Sequence, residues 1–184
     1  SGQLRNGGVF QSPTGLADSW VAMDTPLTNE GGVSVGTNPT YKPQAGKPGG
    51  QGAIHFSILA GKNSTQLYVG GDRQPLGSGD KGSFPNAIGA NNYSGRLFRG
   101  DSSVTATGLT PSPQWKHLTH TADAGEMTGG GTASGSSPHA DSRDMAHDAL
   151  GDIIEGDDGG IYVLTSPTSN EGDWISINGN LQIT

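Results

Sequence analysis

Residues 143–177 decide the fold: Arg143-Asp-Met-Ala-His147, Asp152-Ile-Ile-Glu155, Ile161-Tyr-Val-Leu164 and Trp174-Ile-Ser-Ile177 are four short runs carrying apolar residues. Between them lie Asp148 to Gly151, Gly156 to Gly160 and Thr165 to Asp173, rich in the Gly, Asp, Asn and Ser that build turns. Runs of this length bounded by such clusters predict a four-stranded antiparallel sheet. A helix over Ser142 to Ile154 competes, because Met145, Leu150, Ile153 and Ile154 approximate helical spacing and Ala-His-Asp-Ala at 146–149 is no strand former.

Working outward, the same order recurs upstream. Ile54-His-Phe-Ser-Ile-Leu59 and Gln66-Leu-Tyr-Val69 flank the polar turn Gly61-Lys-Asn-Ser64 as a hairpin; Arg96-Leu-Phe-Arg99 alternates charge with apolar side chains, and Trp115 to Thr119 closes the set. Each Trp opens a segment with an apolar residue three positions on: Trp20 with Met23, Trp115 with Leu118, Trp174 with Ile177. These regularities divide a single domain, 1–184, into a leading strand segment over 1–53, one repeat unit over 54–120 and a second over 138–184. The expected class is all-β: short antiparallel sheets, four-stranded and blade-like, joined by long Gly-rich loops, as a partial propeller or compact β-module.

Composition agrees. Gly numbers 32 and Pro 11 against 30% hydrophobic residues, which argues against a helical bundle. A net charge of −7 removes the basic surface that nucleic acid or an anionic membrane requires, and no apolar run is long enough to span a bilayer. With no cysteine, disulfides and thiolate metal sites are excluded. Asp outnumbers Glu thirteen to four, and the shorter carboxylate suits tight turns and oxygen cages for a hard cation. A small, disulfide-free domain of this composition is expected outside the cell or at its surface, stapled by repetition, self-association or calcium.

Two segments are dense in chemistry. In Pro138-His-Ala-Asp-Ser-Arg-Asp144, a strand starting at Asp141 would put Asp141 and Arg143 on one face, so His139, Asp141 and Arg143 are the expected ligand-binding set, with Arg143 gripping a carboxylate. A salt-bridge network pinning the preceding loop is the structural alternative. In Gly151 to Gly160, four carboxylates and four glycines favour a calcium ion held by Asp152, Glu155, Asp157 and Asp158 with Asp144, although the order is not that of a helix-loop-helix calcium hand. Turns stabilised by Asp explain the same residues without an ion. Aligning Val69-Gly-Gly-Asp-Arg73 with Glu155-Gly-Asp-Asp-Gly159 puts Asp72 and Arg73 on the rim with Asp157 and Asp158. His55, His117, His120 and His147 lack zinc-motif spacing and are expected to be structural or surface residues; the Gly129 to Ser137 loop lacks the Gly-Lys-Ser/Thr ending of a phosphate loop.

Tyr68-Val-Gly-Gly-Asp-Arg73, Gly95-Arg-Leu-Phe-Arg-Gly-Asp101, Pro138-His-Ala-Asp-Ser-Arg-Asp-Met145 and Glu155-Gly-Asp-Asp-Gly-Gly-Ile-Tyr162 together resemble propeller-type repeats of large calcium-dependent secreted bacterial proteins, including RTX-type adhesins, and more distantly sialidase-like and xyloglucanase-like propellers. The resemblance spans roughly residues 50–184 and implies four-stranded blades, calcium-supported loops and ligand binding at a propeller face. The expected function is therefore a calcium-stabilised extracellular binding module for a carbohydrate or peptide. Two alternatives stand beside it: an extracellular fibre or layer subunit pairing through open sheet edges, and a fragment of a glycan-cleaving enzyme using Asp141 with Asp144 or Asp157 as an acid and base pair.

Overall fold

A computed structural model describes residues 7–30, 33–37, 52, 54–74, 86–88, 93–120 and 130–180. Much of the chain where long Gly-rich loops are expected, including Gly129 of the Gly129 to Ser137 loop, lies outside the described residues. The described chain forms twelve strands and no helix. Short β1 (Phe10–Gln11) and β2 (Val21–Ala22) pair with each other, as do β3 (Thr28–Glu30) and β4 (Val33–Val35). β5 (Ser57–Ala60), β6 (Gln66–Arg73), β7 (Gly95–Asp101) and β8 (Trp115–His117) form one four-stranded antiparallel meander; β9 (Asp144–His147), β10 (Ile153–Asp157), β11 (Gly160–Leu164) and β12 (Trp174–Ser176) form a second.

The competing helix over 142–154 does not form, because Asp148 diverts the chain. Its Oδ1 accepts the N–H groups of Leu150, Gly151 and Asp152 at 2.9, 2.7 and 2.9 Å, folding a tight turn in which Gly151 takes φ +101°. Asn63 does the same for the β5–β6 hairpin, accepting from Thr65 and Gln66 at 3.1 and 2.8 Å.

Register turns the inferred repeat into geometry. The residue three past each Trp donates its N–H to the strand beside it: Met23 to Val9 O, Leu118 to Leu97 O and Ile177 to Ile161 O, at 2.9, 2.9 and 3.0 Å. Phe10, Phe98 and Tyr162 then occupy one equivalent position, opposite Ala22, His117 and Ser176. The leading segment is thus more than a lone strand: β1 and β2 match the last two strands of each meander.

These units stack face to face. Val9 and Met23 meet Val69, Phe98 and Trp115 from one side of the first meander, while Tyr68, Leu97 and Leu118 on its other side meet Met145, Ile153, Tyr162, Leu164 and Trp174. Successive side chains alternate faces, so adjacent Tyr68 and Val69, or Leu97 and Phe98, are all buried in a sheet covered on both sides. Two polar anchors lock the layers. Arg99 donates to Pro167 O, Ser169 O and Asn170 Oδ1 at 2.9, 2.7 and 2.8 Å, tying the first meander to the β11–β12 loop. Buried Arg96 donates to Gly36 O, Thr28 Oγ1 and Val35 O at 2.9, 2.8 and 3.1 Å, and to Gln74 Oε1, holding the β3–β4 pair against β7.

Candidate functional site

The segment 139–143 crosses from one meander to the other and is laced to both. Ala140 N donates to Tyr93 O at 2.6 Å, Ser142 N to Gly71 O at 2.9 Å, and Arg143 N to Gly156 O at 2.9 Å. To make these bonds the chain turns at Asp141, whose φ is +73°, a left-handed conformation that Asp tolerates better than most residues. β9 begins only at Asp144. The expected strand through Asp141, with His139, Asp141 and Arg143 sharing one face, is therefore corrected: the turn sends each side chain to a different partner.

Asp141 meets His55, with Oδ1 3.0 Å from Nδ1. Asp72 closes the group, for one donor atom from each of His55, Asp72 and Asp141 lies within 4.8 Å of the others. The Ser142 to Gly71 bond explains this convergence, since it fixes residue 141 beside residue 72 across the seam. Below them Ser57 Oγ and Ser142 Oγ are 2.6 Å apart, in space left by Gly70.

The electrostatics follow from burial. Desolvation, reinforced by Asp72 and Asp158, pushes the Asp141 carboxyl up to about 7 despite nearby Arg143. Desolvation and Arg143 hold the His55 imidazole below its usual value. Burial thus favours the neutral form of both the Asp141 carboxyl and the His55 imidazole. An imidazole and two carboxyl groups are donor types that bind divalent metals.

The other expected ligand residues surround this group without joining it. Arg143 is exposed and binds Asp158 Oδ1 through Nε and NH2 at 2.9 and 2.7 Å, with NH1 on Ile54 O at 3.2 Å. His139 stacks on Tyr93 with ring centroids 5.6 Å apart, and the Arg73 guanidinium lies over the same Tyr93 ring at 5.2 Å. The alignment of 69–73 with 155–159 holds in register, since Val69 pairs with Phe98 as Glu155 pairs with the equivalent Tyr162.

The five expected calcium ligands do not converge. β10 rises about 3.3 Å per residue, so Asp152, just before it, and Asp157, at its end, stand about 16 Å apart. Asp152 accepts from Ser166 N at 3.1 Å, and exposed Asp144 from Met145 N at 2.9 Å. Asp158 faces Arg143. Only Glu155 and Asp157, two residues apart, share the inner face of β10.

His55 and Tyr93 are the residues that sequence reasoning missed. His55 alternates with buried Ser57 ahead of β5, which is its one signal; Tyr93, exposed at φ +58° in a loop, carries none. No family model, curated protein or solved structure matches the chain.

Proposed function

We propose that this chain is an extracellular binding module, built from propeller-like blades, whose ligand site is organised by a divalent cation held by His55, Asp72 and Asp141. The observation that carries the reading is the meeting of these three donors at the seam between meanders. The Asp141 side chain is 17% exposed, so an ion there keeps a coordination position toward solvent. An imidazole among the ligands favours zinc or manganese over calcium, which prefers oxygen alone. The open position would take an oxygen of the ligand, a sugar hydroxyl or a peptide carboxylate. Arg143, with Tyr93 between His139 and Arg73 in its contacts, supplies further polar and ring surface nearby.

Isothermal titration with zinc and manganese tests this directly. One equivalent should bind the wild type, with at least a tenfold loss in both His55→Ala and Asp141→Asn; equal binding by all three proteins overturns the site. Glycan and peptide arrays, each probed with and without the bound metal, then separate the two ligand classes.

A second reading, self-association, is favoured by one observation. A groove of about 390 Å³ beside β1 is lined by Val9, Phe10, Trp20, Phe56 and Ile58, of which Phe10, Trp20 and Ile58 are 57, 60 and 56% exposed. Solution mass that rises with concentration supports it; a constant monomer mass removes it.

A further inference from the structure

The inner face of β10 carries a second group of oxygens, separate from the His55 cluster. Glu155 is fully buried, with Tyr162 directly opposite on β11 and Met145 opposite on β9. Asp157 lies two residues along the same face and is 9% exposed. Both carboxylate oxygens of Glu155, Oδ2 of Asp157 and the Tyr162 hydroxyl are closed to solvent, and among the described residues none has a hydrogen bond of good geometry, their polar neighbours being one another, Ser142 beside Glu155 and Asn178 beside Tyr162. Folded proteins rarely leave buried polar atoms without well-formed hydrogen bonds, and four together at one place favour a further partner.

The Tyr162 hydroxyl is the informative member. It belongs to a different strand from the two acids, is fully buried, and stands directly across the β10–β11 register from Glu155. A proton shared between Glu155 and Asp157 would satisfy one oxygen of each and leave one negative charge buried on the pair. A divalent cation would engage all four and cancel both negative charges, removing the cost of burying them. The donor type selects the ion. Every donor is oxygen, and calcium accepts six to eight oxygens in irregular geometry, whereas magnesium demands a near-ideal octahedron and zinc favours nitrogen and sulfur. Ser142 Oγ, hydrogen-bonded to Ser57 at 2.6 Å, stands beside Glu155 as one more oxygen. The surrounding turn is fixed: Asn178 Oδ1 accepts from Ile161 N at 2.6 Å and its Nδ2 donates to Gly159 O at 2.9 Å.

We propose that Glu155, Asp157 and Tyr162 form a buried calcium site inside the second meander, with Glu155 contributing both oxygens, Asp157 Oδ2 and Tyr162 its neutral hydroxyl. This site does not depend on the His55 reading. It is a staple of the fold rather than a ligand contact, since solvent does not reach it, and the ion is taken up as the second meander closes.

The full chain, refolded from urea with one equivalent of terbium, tests the proposal, because a tyrosine hydroxyl on the lanthanide sensitises its emission. Wild type and His55→Ala should both show terbium luminescence that calcium displaces, and calcium should raise the Tm of both. Glu155→Gln and Asp157→Asn should lose both responses. Tyr162→Phe keeps the ring and should bind calcium about tenfold more weakly, a readout available if the acid variants fail to refold. No terbium emission from the wild type, emission retained in Glu155→Gln or Asp157→Asn, or unchanged calcium affinity in Tyr162→Phe each overturns the proposal. Emission lost only in His55→Ala assigns the ion to the other cluster.

Discussion

The indole N–H of Trp174 donates to the main-chain oxygen of Leu118 at 2.8 Å, and that of Trp115 donates to Asp24 O at 2.6 Å. Each Trp opens the last strand of its unit and reaches back to the chain just past the corresponding strand of the unit before. Layers are thus joined by one recurring side chain as well as by apolar contact.

Replacing either of these Trp residues by Phe leaves a carbonyl without its donor and a gap in a fully packed layer. We expect Trp115→Phe and Trp174→Phe each to cost about 2–4 kcal/mol in urea unfolding. Trp20→Phe should change stability by less than about 0.5 kcal/mol, since Trp20 is 60% exposed. Equal losses at all three positions would contradict the layered stack.

Stability should also vary with pH in a direction set by the acids. Hydrogen bonds from Ser112, Thr107 and Gly108 lower Asp24, and those around Asp101 and Asp173 lower them likewise. These groups stabilise the fold above about pH 4 and lose that contribution as pH falls through their folded values. Asp141 and Asp157 are raised to about 7, chiefly by burial, and Glu155 is raised as well. In that group the unfolded chain releases protons first, so stability falls as pH rises from about 4 to about 7. Cation-free protein in chelator should therefore have its highest Tm near pH 4–5, and Asp141→Asn should flatten the decline toward 7. Circular dichroism melts from pH 3 to 8 decide this; a Tm that climbs steadily to pH 7 contradicts the assignment.

The link between meanders through Arg99 gives a third expectation. Its guanidinium serves three acceptors in the 167–170 loop at once, which an ammonium cannot reproduce. Arg99→Lys should cost about 1.5–3 kcal/mol and speed amide exchange in residues 166–172. Unchanged exchange there would show that the loop is held by other means.

Strand positions were legible in the sequence because they rest on local patterns. The runs ending at Leu59, Val69, Arg99, Leu164 and Ile177 each carry apolar residues between turn residues, and the three Trp segments mark equivalent places. The meeting of His55, Asp72 and Asp141 was not legible, because it depends on a turn at Asp141 and a main-chain bond from Ser142 to Gly71 across 71 residues. Alternation along a strand, the only rule available from sequence, gave His139 and Arg143 as companions of Asp141, and the left-handed turn breaks alternation at that residue. Carboxylate density alone puts Glu155 and Asp157 among five calcium ligands; that these two share a face follows from β10 running on to Asp157, where the sequence points to a turn after Glu155. Their partner Tyr162 follows from register alone.

Gly70 and Gly156 occupy the same position in the two meanders, paired with Leu97 and Ile161 respectively, yet should respond oppositely to a methyl group. A Cβ on Gly70 would press on Ser142 Oγ and stand 2.6 Å from Ser57 Oγ, inside the seam beneath the cation group. A Cβ at Gly156 would meet no atom within 4 Å among the described residues beyond its own chain neighbours. Gly70→Ala should cost about 1–3 kcal/mol through overpacking, and by displacing Ser142 it should also weaken metal binding at neighbouring Asp141. Gly156→Ala should be neutral or stabilise by up to about 1 kcal/mol through the unfolded chain, leaving metal affinity unchanged. Urea unfolding and metal titration on the same two variants separate the outcomes. A tolerated Gly70→Ala with wild-type metal binding would mean that the meanders do not meet as closely as the Ser57 to Ser142 contact requires.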